Sequence, residues 1–312
     1  MQRLAVIVGT FAVLVGGAIR ANAQAPIPIT SVDSMEFDRP ESWALKYFSS
    51  TTLFTGLEMP TRTTFGEVRI GVEAGSIPAL SDAQQVVGYK GTKPEDLNKA
   101  PMFARPRVTL GLPRDFSLTI AGVPPVKAFG VTPRFFAVAL GRPLITGDRI
   151  NIGARFAAQV GSAQGAFTCP EEVVAFFPTS SKNPYGCREE SEDVAHLRYV
   201  SGEVNLWRTL GRHNLTPHVT VALVHMNNVF NVDAQTRGFL NLFHDLTELR
   251  ASGNVVSLSG GVGVPIGSRL SASVDLSYTP LGVMRDLGKN LSTTVTNEGL
   301  FNVKGLITYR VR

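Results

Sequence analysis

Leu270-Ser271-Ala272-Ser273-Val274-Asp275-Leu276-Ser277-Tyr278-Thr279 alternates apolar and small polar residues without a break. Successive side chains of an extended strand point to opposite sides, so a period of two sorts them onto two faces. Leu270, Ala272, Val274, Leu276 and Tyr278 form the apolar face; serines, Asp275 and Thr279 form the other. Two architectures use such a strand. A soluble sandwich or lipocalin-like barrel turns the apolar face inward, whereas a transmembrane barrel turns it out to lipid. Alternation alone does not choose between them.

The pattern recurs on both sides. Val68, Ile70, Val72 and Ala74 alternate with Glu67, Arg69, Gly71 and Glu73. Ile152, Ala154, Phe156, Ala158 and Val160 alternate with Asn151, Gly153, Arg155, Ala157 and Gln159, and Phe301, Val303, Ile307 and Tyr309 with Asn302, Lys304, Thr308 and Arg310. Phe135–Leu140 is apolar on both parities and leaves its faces unassigned. Ten strands are predicted, at roughly 65–75, 105–112, 115–122, 127–141, 147–161, 195–209, 213–227, 253–265, 268–280 and 299–311. Short links (113–114, 142–146, 210–212, 266–267) alternate with 76–104, 123–126, 162–194, 228–252 and 281–298, all long except one. Antiparallel strands place successive links at opposite ends, so one end carries tight turns and the other large loops.

That asymmetry favours the transmembrane arrangement, as do strands of about ten residues, where soluble sheets average five or six. Phe116, Tyr278, Phe301 and Tyr309 fall near strand ends, where aromatic girdles form. The expected fold class is all-β: an antiparallel up-and-down transmembrane β-barrel of about ten strands with a short N-terminal helix. In these features the chain resembles bacterial outer-membrane β-barrels as a class, over its leader and residues 65–312. The resemblance rests on pattern, without a specific motif. It implies a Gram-negative outer-membrane location, lipid as the surrounding partner, and both termini on the periplasmic side. The ending Tyr309-Arg310-Val311-Arg312 departs from the aromatic last residue usual in that class.

Residues 1–23 read as a secretory signal peptide: Arg3, an uncharged apolar run Leu4 to Ile19, then the small-x-small site Ala21-Asn22-Ala23. The run is shorter than the roughly 20 residues a membrane-crossing helix requires. Residues 24–64 are expected as an N-terminal periplasmic segment, and residues 65–312 as the barrel. Within the segment, Pro40 followed by Glu41 marks a helix start. Trp43, Tyr47 and Phe48 share one helix face, and the helix is expected to end near Gly56. Such a helix plugs the barrel mouth, lies on the inner leaflet or packs on the barrel end, of which the last asks least.

Cys169 and Cys187 are the only cysteines. Export places them in an oxidising compartment, and the intervening Pro170, Pro178, Asn183, Pro184 and Gly186 read as loop, so a disulfide is expected. The net charge of +5 is spread along the chain without a basic block, which argues against a nucleic-acid partner. No spacing points to a metal, and no cofactor motif is present.

The inward parity carries the chemistry. Glu67, Arg69, Glu73, Arg107, Arg155, Glu203, Asp275, Lys304 and Arg310 are expected to line the lumen. Buried charges must pair or meet water. Ten strands make a narrow barrel, well short of the about 16–18 strands of open porins. These features point to a non-enzymatic barrel: a porin-like narrow channel for transport, or a small-solute binding site in a polar lumen, with the helix near 40–55 controlling access. A structural or adhesive barrel with a disulfide-braced extracellular loop is the alternative. A lipid-modifying enzyme using His225 or His244 comes third, since no motif ties a serine to either. The stretch Phe239–Phe243 with Leu246 is read as a short capping helix.

Overall fold

The computed structural model describes residues 27–211, 213–238, 241–285 and 294–311; the expected signal peptide, residues 1–23, lies outside the described residues. Ten strands build the wall: Val68–Ser76 (β1), Met102–Gly111 (β2), Ser117–Val123 (β3), Val131–Ile145 (β4), Asn151–Gly165 (β5), Asp193–His196 with Tyr199–Trp207 (β6), Thr216–Asn231 (β7), Glu248–Ile266 (β8), Leu270–Thr279 (β9) and Leu300–Arg310 (β10). Each pairs antiparallel with its predecessor. β10 closes on β1, with Lys304 opposite Gly75 and Arg310 opposite Arg69. Closure leaves no unpaired edge, which a strand assembly in lipid requires.

The apolar parity faces out. Ile70, Val72, Phe136, Phe156, Val204, Val221, Leu258, Leu276, Val303 and Ile307 are exposed on the wall, while Glu73, Arg107, Arg155, Glu203, Asp275 and Lys304 are buried inside it. No soluble sheet protein exposes such a belt, so the wall is that of a membrane-spanning barrel. The ambiguous Phe135–Leu140 stretch resolves by size: Ala137 and Ala139 face in, Phe136 and Leu140 face out. Several strands run further toward the long loops than the alternation suggested. β5 reaches Gly165, β7 reaches Asn231 and β8 begins at Glu248, whereas β4 begins at Val131, inside its expected bound of 127. Above the lipid belt the outward residues become polar, so the hydrophobic period fades while the hydrogen-bond ladder continues.

The N-terminal segment is the main departure from expectation. Residues 24–64 are expected on the periplasmic side, their helix plugging the mouth, lying on the inner leaflet or packing on the barrel end; the described part, 27–64, runs from the long-loop end through the inside of the barrel. Ile27–Ile29 pairs parallel with Leu242–Asp245, and Val32–Met35 pairs parallel with the first residues of β8, both at the long-loop end. Helix Pro40–Thr51 (α1) then enters the mouth, where 11 of its residues are buried. Pro40 sits at its start with Glu41 in the first turn, and it stops at Thr51, short of Gly56. Its aromatic face is used inside: Trp43 stacks on Tyr47, with ring centroids 5.7 Å apart. Residues 52–64 run down the lumen as a strap. They reach the short-turn end, where Thr63 Oγ1 donates to the Phe116 carbonyl, and β1 begins.

The expected capping helix also differs. Ala234–Arg237 and Leu242–Asp245 pair as antiparallel strands, to which Ile27–Ile29 adds a third. Residues 239–240 lie outside the described residues. Leu242–Asp245 is a strand because neighbouring chain segments supply it with sheet edges, which local sequence does not show.

Candidate functional site: a strapped lumen beneath a mouth cavity

The lumen charges converge on the strap. Arg105 Nη1 donates to the Thr52 carbonyl and Nη2 to the Leu53 carbonyl, at 2.9 and 3.3 Å. Lys304 Nζ donates to the carbonyls of Leu53 and Thr55, at 3.1 and 2.9 Å. Arg155 donates to those of Gly56 and Glu58, both at 2.9 Å. Asn302 Nδ2 holds the Thr51 carbonyl at 3.0 Å. From the other side, the amide of Leu57 donates to Asp275 Oδ2 at 2.9 Å and that of Phe54 to the Tyr199 hydroxyl at 2.6 Å. An extended segment inside a barrel has no strand partner, and its unpaired backbone groups would cost about 1–3 kcal/mol each. The wall side chains replace that ladder. Gly56 is fitted to the passage: its φ is +69°, and a Cβ there would stand 2.4 Å from Asp275 Oδ2.

The cations are balanced by acids. Glu73 receives Arg105 at 2.7 Å and Arg107 at 3.3 Å. Glu58, supplied by the strap, meets Arg69 at 2.6 Å and Arg107 at 2.9 Å. Arg155 pairs with Glu203 at 2.6 Å, and His218 Nε2 lies 2.8 Å from Asp275 Oδ1. The Phe54 ring sits between the guanidinium groups of Arg105 and Arg107, at 4.5 and 4.8 Å.

Seven of the nine sequence-predicted lumen residues therefore belong to one connected set with the strap: Arg69, Glu73, Arg107, Arg155, Glu203, Asp275 and Lys304. Glu67 is half-buried at its lower edge, 3.2 Å from Arg69. Arg310 is not brought in. It shares the inward parity and pairs with Arg69 at the last rung of the closing ladder, but it is exposed there, donating to the Ser268 carbonyl at 2.7 Å. Sequence reasoning missed Arg105, Gln159, Tyr199, His218 and Glu58. Arg105 and His218 were readable from parity with Arg107 and Thr220. Glu58 was not, because its segment had no strand pattern.

The Cys169–Cys187 disulfide is present, with Cα atoms 5.6 Å apart. The loop it braces leans on the first long loop, where the Tyr185 ring stacks on Tyr89 at 5.6 Å. His225 is exposed on the outer wall, 2.9 Å from Asn254, and His244 lies 2.7 Å from Asp233. Among the described residues neither histidine bonds a serine hydroxyl.

Two cavities lie on either side of the strap. The one in the long-loop mouth has a volume of about 260 Å³. Its floor is Ala44, Leu45 and Phe48 of α1, with Leu97, Phe167, Phe230, Val232 and Leu249 around them. Its rim carries Asp33, Arg39, Glu41, Tyr89, Lys90, Glu95, Asp245 and Thr247. Arg39 is held by Asp33 and Glu41, both at 2.9 Å, and Lys93 reaches Glu95 at 2.5 Å. Burial pushes the Glu95 carboxyl up to about 8, against the pull of the Lys93 ammonium. Tyr89 and Lys90 turn the rim with φ of 47° and 60°, a left-handed pair costly for side chains with a Cβ. The Lys90 amide is fixed by a 2.6 Å bond to Glu41 Oε1. The second cavity, about 310 Å³ at the short-turn end, has mixed walls, with Leu57, Met59 and Leu306 beside Arg69, His218 and Thr308.

No protein-family model matches the sequence, and no curated protein does. Among solved structures, Ail, the attachment invasion locus protein of Yersinia pestis, is similar at 8% identity and a TM-score of 0.31, covering 79% of this chain and 99% of its own. The outer membrane protease OmpT of Escherichia coli is similar at 9% identity and a TM-score of 0.35, covering 78% of this chain and 94% of its own. The toluene transporter TbuX of Ralstonia pickettii is similar at 10% and 0.33, covering 80% of this chain and 75% of its own. The membrane-barrel reading stands on the chain's own inside-out wall.

Proposed function

We propose that this chain is an outer-membrane β-barrel that binds a small solute in its mouth cavity and keeps its lumen closed beneath that cavity with its own strap. The carrying observation is the stacking of the two features. The cavity floor is α1, whose last carbonyl, that of Thr51, is held by Asn302, and α1 continues directly into residues 52–58, whose carbonyls are gripped by Arg105, Lys304 and Arg155. The lumen residues thus act on the strap, and the solute site moves from the lumen to the mouth. Tight turns at one end and large loops at the other support an outward-facing mouth. Transport then requires displacement of the strap.

Planar bilayers test the closure. The wild type should be silent, whereas Gly56→Val, which drives a side chain into Asp275, and the double variant Arg105→Ala/Lys304→Ala should each give discrete conductance steps. Equal conductance in the wild type and both variants would remove the strap as the seal. The adhesive reading is less well supported. Tyr185 of the disulfide loop packs against Tyr89 at the cavity rim, so that loop is committed to the cavity wall.

A further inference from the structure

Resting on the proposed function, we infer that the mouth cavity takes an uncharged, mainly apolar solute of about ten carbon atoms. Size comes first. A dry cavity of about 150 Å³ accepts benzene, so 260 Å³ corresponds to roughly ten carbons at the same filling. Surface comes second. Helix α1 and the loops present aliphatic and aromatic side chains to the interior, and an apolar ligand there displaces water that has few partners.

Charge decides the class. The rim supplies three carboxylates, Asp33, Glu41 and Asp245, beside Glu95, whose carboxyl burial keeps protonated at neutral pH, against two basic groups, Arg39 and Lys90. An anionic head would face that acidic excess, and the one inward cation, Arg39, is already held by Asp33 and Glu41. A cationic head fares little better. Glu41 is taken by Arg39 and the Lys90 amide, and Glu95 by Lys93. Asp245 accepts from the Thr247 amide and hydroxyl at 3.0 and 2.6 Å. Any charged solute would leave its own hydration behind on entering a cavity with this apolar floor, whereas an uncharged one has none of that cost.

The test uses the full barrel in lipid nanodiscs, with protein-free nanodiscs of the same lipid to subtract partitioning. The probes are naphthalene, 1-naphthoate and 1-naphthylmethylammonium, which share one ring system and differ in charge. Equilibrium dialysis should show saturable naphthalene binding and charged probes more than about tenfold weaker. Leu249→Trp and Thr247→Trp, which each fill the cavity from its half-buried rim, should abolish naphthalene binding. Each variant is first checked for the heat-modifiable gel migration of a folded barrel, and either one suffices. Saturable binding of a charged probe without naphthalene overturns the solute class and leaves the solute-binding reading standing. Saturable binding of none of the three overturns both. Naphthalene binding untouched by a folded filled variant places the solute elsewhere and overturns the inference.

Discussion

Glu73 holds two guanidinium groups in the middle of the barrel and is itself almost inaccessible, at 1% exposure. Desolvating those arginines is tolerable only because the carboxylate is there. Breaking such a set by removing one partner costs about 3–5 kcal/mol, since the remaining charge has nowhere to go. Glu73→Gln should therefore lower unfolding stability by about that amount, read from the urea midpoint of Trp43 and Trp207 fluorescence in detergent micelles. An unchanged midpoint would mean that water already solvates Arg105 and Arg107. Glu95 makes a different prediction. Its carboxyl is pushed up to about 8 in the folded cap, above the usual carboxylate value, so the folded state keeps a proton that the unfolded chain releases. Stability of the cap is then greatest in acid, falls as pH rises through the unfolded value, and levels off once pH passes 8. Protease protection of residues 77–101 should fall over that window, and Glu95→Gln should flatten the dependence. A wild-type profile that is itself flat between pH 5 and pH 8 would rule out burial of this carboxyl as the source of the effect.

At the scale of elements, the disulfide and the strap brace different things. Cys169 and Cys187 are 18 residues apart and close a loop outside the wall. A link of that span restricts the unfolded loop by about 3 kcal/mol. The double variant Cys169→Ser/Cys187→Ser should expose residues 170–186 to protease while the barrel keeps its folded gel mobility. Loss of the folded band would show that the loop supports the wall as well. These elements also mark what the sequence made legible. Most wall strands were readable, because lipid on one side and a polar lumen on the other impose a period of two; in β4, where Ala137 and Ala139 face in, small apolar residues replace polar ones and the period is lost. The disulfide was readable from compartment and loop composition. The strap was not: an extended segment bonded by side chains, with no ladder, leaves no period. Its only trace was negative, an inward surface with more arginine and lysine than its own acids needed. The mouth cavity was equally invisible, since its walls come from α1 and three separate long loops whose meeting is a tertiary event. The strand Leu242–Asp245 was misread as helix because its pairing partners lie at Ala234–Arg237 and Ile27–Ile29.

For the whole molecule the consequence is a path. The described chain starts beside the long loops, passes through its own barrel and only then begins the wall. An even number of strands returns the end of β10 to the level where β1 starts, as the pairing of Arg310 with Arg69 shows. Residues 27–35 are at the opposite end, joined to Leu242–Asp245 and β8. Withdrawing the strap from the finished barrel would require breaking its bonds to Arg105, Arg155 and Lys304. Opening is constrained in the same way. A pull from the short-turn end would draw on residues 60–66, yet the segment is anchored outside by two sheet pairings, so release at the mouth, where the solute site lies, is the easier route. The orientation can be measured. Pro28→Cys, exposed beside the mouth, should react on intact cells with a membrane-impermeant maleimide. Phe65→Cys, 73% exposed at the short-turn end, should react only after the cells are broken. The reverse pattern would put the large loops and the solute cavity on the periplasmic side, and the binding reading would then concern a solute leaving the cell.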